Sequence, residues 1–246
     1  MSTDYSPKKM RFIGIDGCKG GWFYIGLEDD EGWSLGVLPE ISRLSQFISQ
    51  SQLILVDIPI GLRTDEQIER LCDLEARQVL KKRRSSVFPA SSRFSLNYTD
   101  YKEGSRVNKL HTGRKLSRQS WGIRRKIMEV DEFLKGTQTD YKVREFHPEV
   151  AFWALNHFRE MQYYKKTDPG YHERISLLSK FYAPVENVLI DAGQKYSRSN
   201  LARDDILDAM VGAVTAKFFP SIKTLPGTPE IDSTGLPMEI VYAGLV

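Results

Sequence analysis

The sequence predicts an α/β fold with a mixed sheet flanked by helices, and three observations predict it. The chain opens with a buried-strand run, "MRFIGID", followed by two aromatic and β-branched runs, "GWFYIGLE" and "WSLGVLP", joined by the acidic turn "DDEG". A helical spacing comes next, in "EISRLSQFISQS", where Ile41, Leu44, Phe47 and Ile48 share a face. Then "LILVDIPI" is continuously apolar over a strand's length, which suits a strand covered on both faces and paired in parallel. Three meandering strands, a helix and a strand returning parallel to the first make a mixed sheet.

The texture changes from residue 64. "TDEQIERLCDLEARQVLKK" reads as a helix with Thr64 at its N-cap and Gln67 three residues on. "RRSSVFPASSRFSLNYTDYKEGSR" holds no sustained period and reads as loop. "SRQSWGIRRKIMEVDEFLK" is helical, with Ile123, Ile127, Val130 and Leu134 in one stripe. "KVREFHPE" is a short strand, and "PEVAFWALNHF" a helix with Pro148 in its first turn. "HERISLLSKFY" and the apolar "RDDILDAMVGAVTAKFF" are further helices, and "MEIVYA" an edge strand. Residues 1–9 read as a disordered tail and 10–246 as one domain.

Composition excludes several classes. Of 246 residues, 41% are hydrophobic and 27% charged, ordinary values for a globular protein with a sizeable core. No apolar run approaches the roughly 20 residues of a membrane span. "MSTDYSPKKM" lacks the apolar stretch of a signal peptide. Two cysteines, Cys18 and Cys72, in unrelated contexts suit a reducing cytoplasm rather than a disulfide framework or zinc site. A cytoplasmic location without membrane attachment is expected. The net charge of +3 is unevenly spread: residues 81–126 hold 14 Lys/Arg against Asp100 and Glu103. Such a segment on an acidic body fits an anionic partner, nucleic acid or another phosphate-bearing ligand, or else a solvated face.

Both apolar runs end in an acid, Asp16 and Asp57. In the inferred order these strands are neighbours, so the two carboxylates meet at the carboxyl edge of the sheet, where α/β proteins place ligands. Carboxylates that close repel unless a cation lies between them, and an all-oxygen site suits Mg²⁺ or Mn²⁺. The last long helix adds Asp204, Asp205 and Asp208. Spacings of i, i+3 and i, i+4 put Asp208 on a face with either neighbour. Capping explains Asp204 and Asp205 equally well. Asp208, between Leu207 and Ala209, sits too deep for that. Acids converging on two ions about 4 Å apart form the layout of two-metal phosphoryl transfer.

"GIDGCKGGW", "VDIPIGL", "RLCDLEARQVL" with "RRSSVFPA", "SRQSWGIRRKIMEVD", "EFHPEVAFWAL" and "DDILDAM" occur in that order. Together they resemble domain-of-unknown-function family 429, whose members are predicted RNase H-like nucleases, over residues 11 to 218. The resemblance implies an RNase H-like mixed five-stranded sheet flanked by helices. It also implies that Asp16, Asp57, Asp205 and Asp208 bind metal. Glu145, on the expected fifth strand, is a further acid of the site, and His147 is a proton shuttle or a cap of the next helix. The resolvase-like arrangement is the nearest analogy, and enzymes of that kind are often homodimers.

A minimal fold of this type lacks residues 64–140, a helical insertion between strands 4 and 5 that carries the basic segment. Arg83, Arg84, Ser85 and Ser86 in "RRSSVF" combine charge, fork geometry and short donors suited to phosphate. Arg118, Gln119, Arg124, Arg125 and Lys126 extend that surface. Phe88, Phe94 and Tyr98 are placed to stack on bases or simply to pack. "GCKGG" is no Walker motif; it lets backbone approach the site, and Lys19 within it can touch a phosphate.

The leading expectation is metal-dependent phosphodiester hydrolysis, a hydrolase of the nuclease class. Two others stay open. A nucleotide or sugar-phosphate binding protein of the actin-like kind requires a second copy of the core, and one copy is seen. A catalytically silent nucleic-acid-binding module requires salt-dependent binding through residues 81–126 without turnover.

Overall fold

The computed structural model describes residues 10–64, 69–139 and 141–245. The expected tail and Gln67 lie outside them. β1 (Phe12–Cys18), β2 (Gly21–Leu27) and β3 (Trp33–Leu38) form an antiparallel meander. A 3-10 turn, Ile41–Leu44, runs into α1 (Ser45–Ile48), and all four apolar residues of the helical spacing are buried. β4 (Leu53–Val56) pairs parallel with β1, and β5 (Val143–Glu145) parallel with β4. The sheet order is β3-β2-β1-β4-β5 with β2 antiparallel to its neighbours, the mixed five-stranded sheet expected from the sequence.

Among the described residues four α-helices separate β4 from β5: α2 (Leu71–Leu80), α3 (Tyr101–Thr112), α4 (Arg118–Gly122) and α5 (Arg124–Gly136). α2 starts at Leu71, so Thr64 is not its cap; Arg70 holds that position. The stretch read as loop contains the first half of α3, whose N-cap Asp100 accepts from the Glu103 amide. The helix expected over residues 117–135 breaks at Ile123 into α4 and α5. After β5 come α6 (Pro148–Leu155), α7 (Asp168–Leu178), α8 (Val185–Lys195) and α9 (Arg203–Ala216). β6 (Ile222–Ile231) and β7 (Pro237–Ala243) then form a separate two-stranded sheet. The expected edge strand is thus β7, which meets the main sheet through a backbone bridge between Phe146 and Val241 and through the ion pair of Arg144 with Glu239.

Strand alternation sorts the core into two layers. Phe12, Leu53 and Leu55 face α6 and α9, while Ile13, Ile15, Ile54 and Val56 face Ile41, Leu44, Ile127 and Val130. α9 lies directly against β1, because Gly14 offers no side chain on that face. A Cβ there would run into the Ala209 carbonyl oxygen and the Ala213 amide, and would come 2.7 Å from the Gly212 carbonyl carbon. A third cluster, with Cys72, Ala76, Val150 and Ile240, ties α2 and α6 to the β6–β7 sheet. Among the described residues no helix is long and apolar enough to cross a membrane.

A carboxylate cluster in a cleft of mixed charge

Register builds the site. Ile15 pairs with Val56, so the next residues, Asp16 and Asp57, stand opposite one another. Asp57 donates its amide to the Ile15 carbonyl at 2.9 Å, which continues the ladder one residue past β4. Both follow the alternation of Phe12, Leu53 and Leu55, so their side chains point to the α9 face. The close approach at Gly14 brings the first turns of α9 over the same edge, and Asp208 arrives there. Carboxylate oxygens of Asp16, Asp57 and Asp208 lie within 4.8 Å of one another, a grouping able to hold a metal ion. Its donors are all hard oxygens, which suits a hard divalent cation.

Charge crowding marks the cluster. Burial, then the carboxylates of Asp57, Asp208 and Asp205, raise the Asp16 carboxyl well above its usual range. Burial, Asp208 and Glu145 do the same to Asp57, while Lys165 opposes both shifts. Asp208 is pushed up to about 6 by burial, against the pull of Lys165, whose Nζ donates to its Oδ2 at 2.6 Å. Lys165 is a site residue that the sequence reading missed. It lies outside the basic segment, and its one signal was the pair "KK" beside two tyrosines.

The other expected acids are placed differently. Asp205 is outside the three-carboxylate grouping. Its Oδ2 accepts from the Ala202 amide at 3.0 Å, the capping arrangement, and burial raises its carboxyl. Glu145 pairs in register with Val56 and so sits on the opposite sheet face from Asp57. There Arg70 donates to both its oxygens, at 2.7 and 2.9 Å, and the Ile60 amide donates at 2.6 Å. Arg70 also binds Asp73 and the Ile60 and Gly61 carbonyls, so this buried network clamps the turn that follows Asp57. Burial pushes Glu145 up to about 7 against the arginine's pull. His147 precedes α6 without a side-chain capping bond. Its Nε2 faces the Ser86 carbonyl at 3.2 Å and must donate; Nδ1 is then a buried acceptor without a partner. Burial lowers the ring's pKa, so the imidazole is held neutral.

A cleft of about 1190 Å³ opens above the cluster. Asp16, Asp57, Glu145 and His147 lie in its lining. One wall is the insertion, which contributes Lys82, Arg83, Ser85, Ser86, Phe88, Gln119, Arg125 and Lys126. The other is the segment after α6, with Tyr164, Lys165 and Lys166. The two walls touch: the Arg83 amide donates to Glu160 at 3.1 Å, and its guanidinium to the Met161 carbonyl at 3.2 Å. Lys126 crosses above Gly17, where a Cβ would come 2.8 Å from its Cδ, and donates to the Gly21 carbonyl at 2.5 Å. Lys19, Arg84 and Arg118 are exposed and lie apart from this lining; Arg118 stacks over Tyr101 at 3.8 Å. Phe94 stacks on His111 at 3.9 Å, away from the cleft.

Fold and site together define an α/β protein with a carboxylate cluster, able to hold a cation, at the carboxyl edge of its sheet. The chain belongs to the DUF429 family, described as a protein of unknown function, whose model matches residues 14–230. No curated protein and no solved structure matches it.

Proposed function

We propose that this protein is a metal-dependent phosphodiesterase of the nuclease class, with residues 10–246 forming one RNase H-like domain. The observation that carries the reading is the Asp16, Asp57 and Asp208 grouping, whose Asp16 and Asp57 line a cleft that also holds Lys82, Arg83, Arg125 and Lys166. Those three carboxylates would hold Mg²⁺ or Mn²⁺. Such a cation supplies Lewis-acid stabilisation of phosphoryl charge and an activated water. Lys82, Arg83, Arg125 and Lys166 would neutralise the flanking phosphates, and Ser85 and Gln119 add neutral donors. Phe88 and Tyr164 offer faces for a base. A second cation would draw on the Asp205 oxygen not used in capping. His147 would accept a proton at its unpartnered Nδ1 while Nε2 keeps donating to the Ser86 carbonyl. A homodimer and a cytoplasmic location belong to this reading through the family resemblance and the cysteine usage.

The test is cleavage of single-stranded, duplex and branched DNA, of RNA, and of RNA–DNA hybrid, with Mn²⁺ or Mg²⁺. An Asp57→Asn protein purified identically runs beside it. Cutting by the wild type alone supports the reading and names the substrate class. Equal cutting by both proteins marks a contaminant. Salt-sensitive binding without cutting favours the silent binding module.

A further inference from the structure

Among the described residues, Lys165 is the ammonium that sits with the three clustered carboxylates. Lys165 donates to Asp208 Oδ2 at 2.6 Å, with its side chain 28% exposed. Neighbouring cations are engaged elsewhere: Lys126 with the Gly21 carbonyl and the Trp22 ring, Arg70 with Glu145 and Asp73. Lys165 therefore stands where a metal's charge would stand. A hard divalent ion bonds carboxylate oxygen at about 2.1 Å and repels an ammonium on the same oxygen. The two cations compete for Asp208.

The backbone around Lys165 is pinned. The Gln162 and Tyr163 amides donate to Glu173 at 2.7 and 3.0 Å. The Tyr163 carbonyl accepts from Arg174 at 3.2 Å, and Arg174 is itself fixed by Glu149 at 2.6 Å. The Thr167 amide closes the segment on the Tyr164 carbonyl at 3.0 Å. What remains free to move is the four-carbon stem, and it projects into the cleft that Arg83, Ser85 and Lys166 line.

We propose that Lys165 is a two-position cation: it neutralises Asp208 until a divalent metal enters, then swings to the phosphate of the substrate. This rests on the metal-site reading above and adds a substrate-binding residue to it. The exchange couples the two binding events. Metal entry releases the ammonium that holds the phosphate, so a cleft without metal is both self-neutralised and poor at binding its substrate. A lysine suits the role because its charge is a compact point on a flexible stem, with no fork geometry to satisfy.

The experiment is a Mn²⁺ titration by calorimetry at fixed ionic strength. It compares wild type, Lys165→Met, Lys165→Gln and, as control, Lys180→Met at an exposed lysine outside the cleft lining. Removal of the competing charge is expected to tighten Mn²⁺ binding by about tenfold in both Lys165 variants and to leave the control unchanged. The rise in melting temperature on adding Mn²⁺ should grow in the same two proteins. Binding of a phosphorothioate oligothymidylate to the Mn²⁺-saturated proteins should weaken several-fold in the Lys165 variants. Equal or weaker Mn²⁺ binding in both variants overturns the proposal. Tighter Mn²⁺ binding with unchanged oligonucleotide binding overturns the second position. No Mn²⁺ binding by any protein overturns this proposal and the metal-site reading together. The expected exchange with no cleavage of any substrate sinks the nuclease reading alone.

Discussion

Gly14 of β1 and Ala209 of α9 touch backbone to backbone, and that contact sets where Asp208 falls. A side chain on Gly14 would occupy the Ala209 carbonyl and Ala213 amide positions. The helix would then have to lift from the strand. Asp16, two residues along from Gly14, and Asp57, whose amide donates to the Ile15 carbonyl, would lose the fixed distance to Asp208 that the cluster requires.

Gly14→Ala is therefore expected to destabilise the fold by about 1–3 kcal/mol through overpacking against backbone. It should also weaken Mn²⁺ binding more than the loss of stability explains, because Asp208 moves with the helix. Urea denaturation measures the first effect and calorimetry on the folded fraction the second. Unchanged stability would mean that the strand and helix can separate freely.

The cluster itself should cost stability. Three acids within 4.8 Å, raised by burial and by neighbouring carboxylates and offset by Lys165, are a repulsive arrangement. Asp57→Asn is expected to raise the melting temperature of the metal-free protein by about 2–4 °C, equivalent to ~1 kcal/mol for a chain of this size. The same change should abolish stabilisation by added Mn²⁺. Thermal melts with and without the ion check both. A lower melting point in the metal-free variant would show that Asp57 is held by favourable contacts.

Asp232 locks the β6–β7 turn to the insertion. Its Oδ1 accepts from the Thr234 amide and hydroxyl and from the Leu236 amide, at 2.8, 2.8 and 3.0 Å. Its Oδ2 accepts from the Leu62 amide at 2.9 Å and from Arg93. Burial alone would raise this carboxyl, but the Leu62 amide and the Thr234 and Leu236 donors hold it below its ordinary 3.8. A folded value below the unfolded one means stabilisation that is complete above pH 3.8 and lost as pH falls through the folded value. Asp232→Asn is expected to cost about 3 kcal/mol at neutral pH, since Arg93 loses one of its two carboxylates. That difference from wild type should shrink below pH 3.8. Denaturation midpoints between pH 2 and pH 7 decide it; a difference that stays constant with pH would mean the charge is irrelevant.

Much of this architecture was legible because it is written in period and order. The continuous run around Ile54 and Val56, and the strand ends at Asp16 and Asp57, specify a parallel pair whose acids meet. The apolar length of α9 specifies a helix packed on the sheet. α3 was not legible because its buried face holds Gly104, Ser105 and Asn108, small or polar residues that pack without an apolar stripe. Asn108 earns its burial by donating to the Arg114 carbonyl and accepting from the Ser92 amide, partners that no local pattern shows. β6 was hidden by Pro226, Gly227 and Pro229, which interrupt its pairing with β7 between Leu225 and Glu230. Lys165 and Arg70 were missed for a common reason: each acts through a carboxylate distant in sequence, at 43 residues for Asp208 and 75 for Glu145.

The basic segment, one stretch in sequence, is divided in space, and the division predicts which of its cations bind. Arg125 is exposed in the cleft lining; Arg118 is exposed outside it, over the Tyr101 ring. If a single strand lies in the cleft, Arg125 neutralises one phosphate and Arg118 none. Arg125→Ala should then weaken oligonucleotide binding and flatten the slope of log K against log salt by about 0.7, the value for one contact to a single strand. Arg118→Ala should leave both affinity and slope unchanged. Fluorescence anisotropy across a salt series measures the two together. Equal losses from both substitutions would mean that the charge of the whole segment acts diffusely, and that the strand does not follow the cleft.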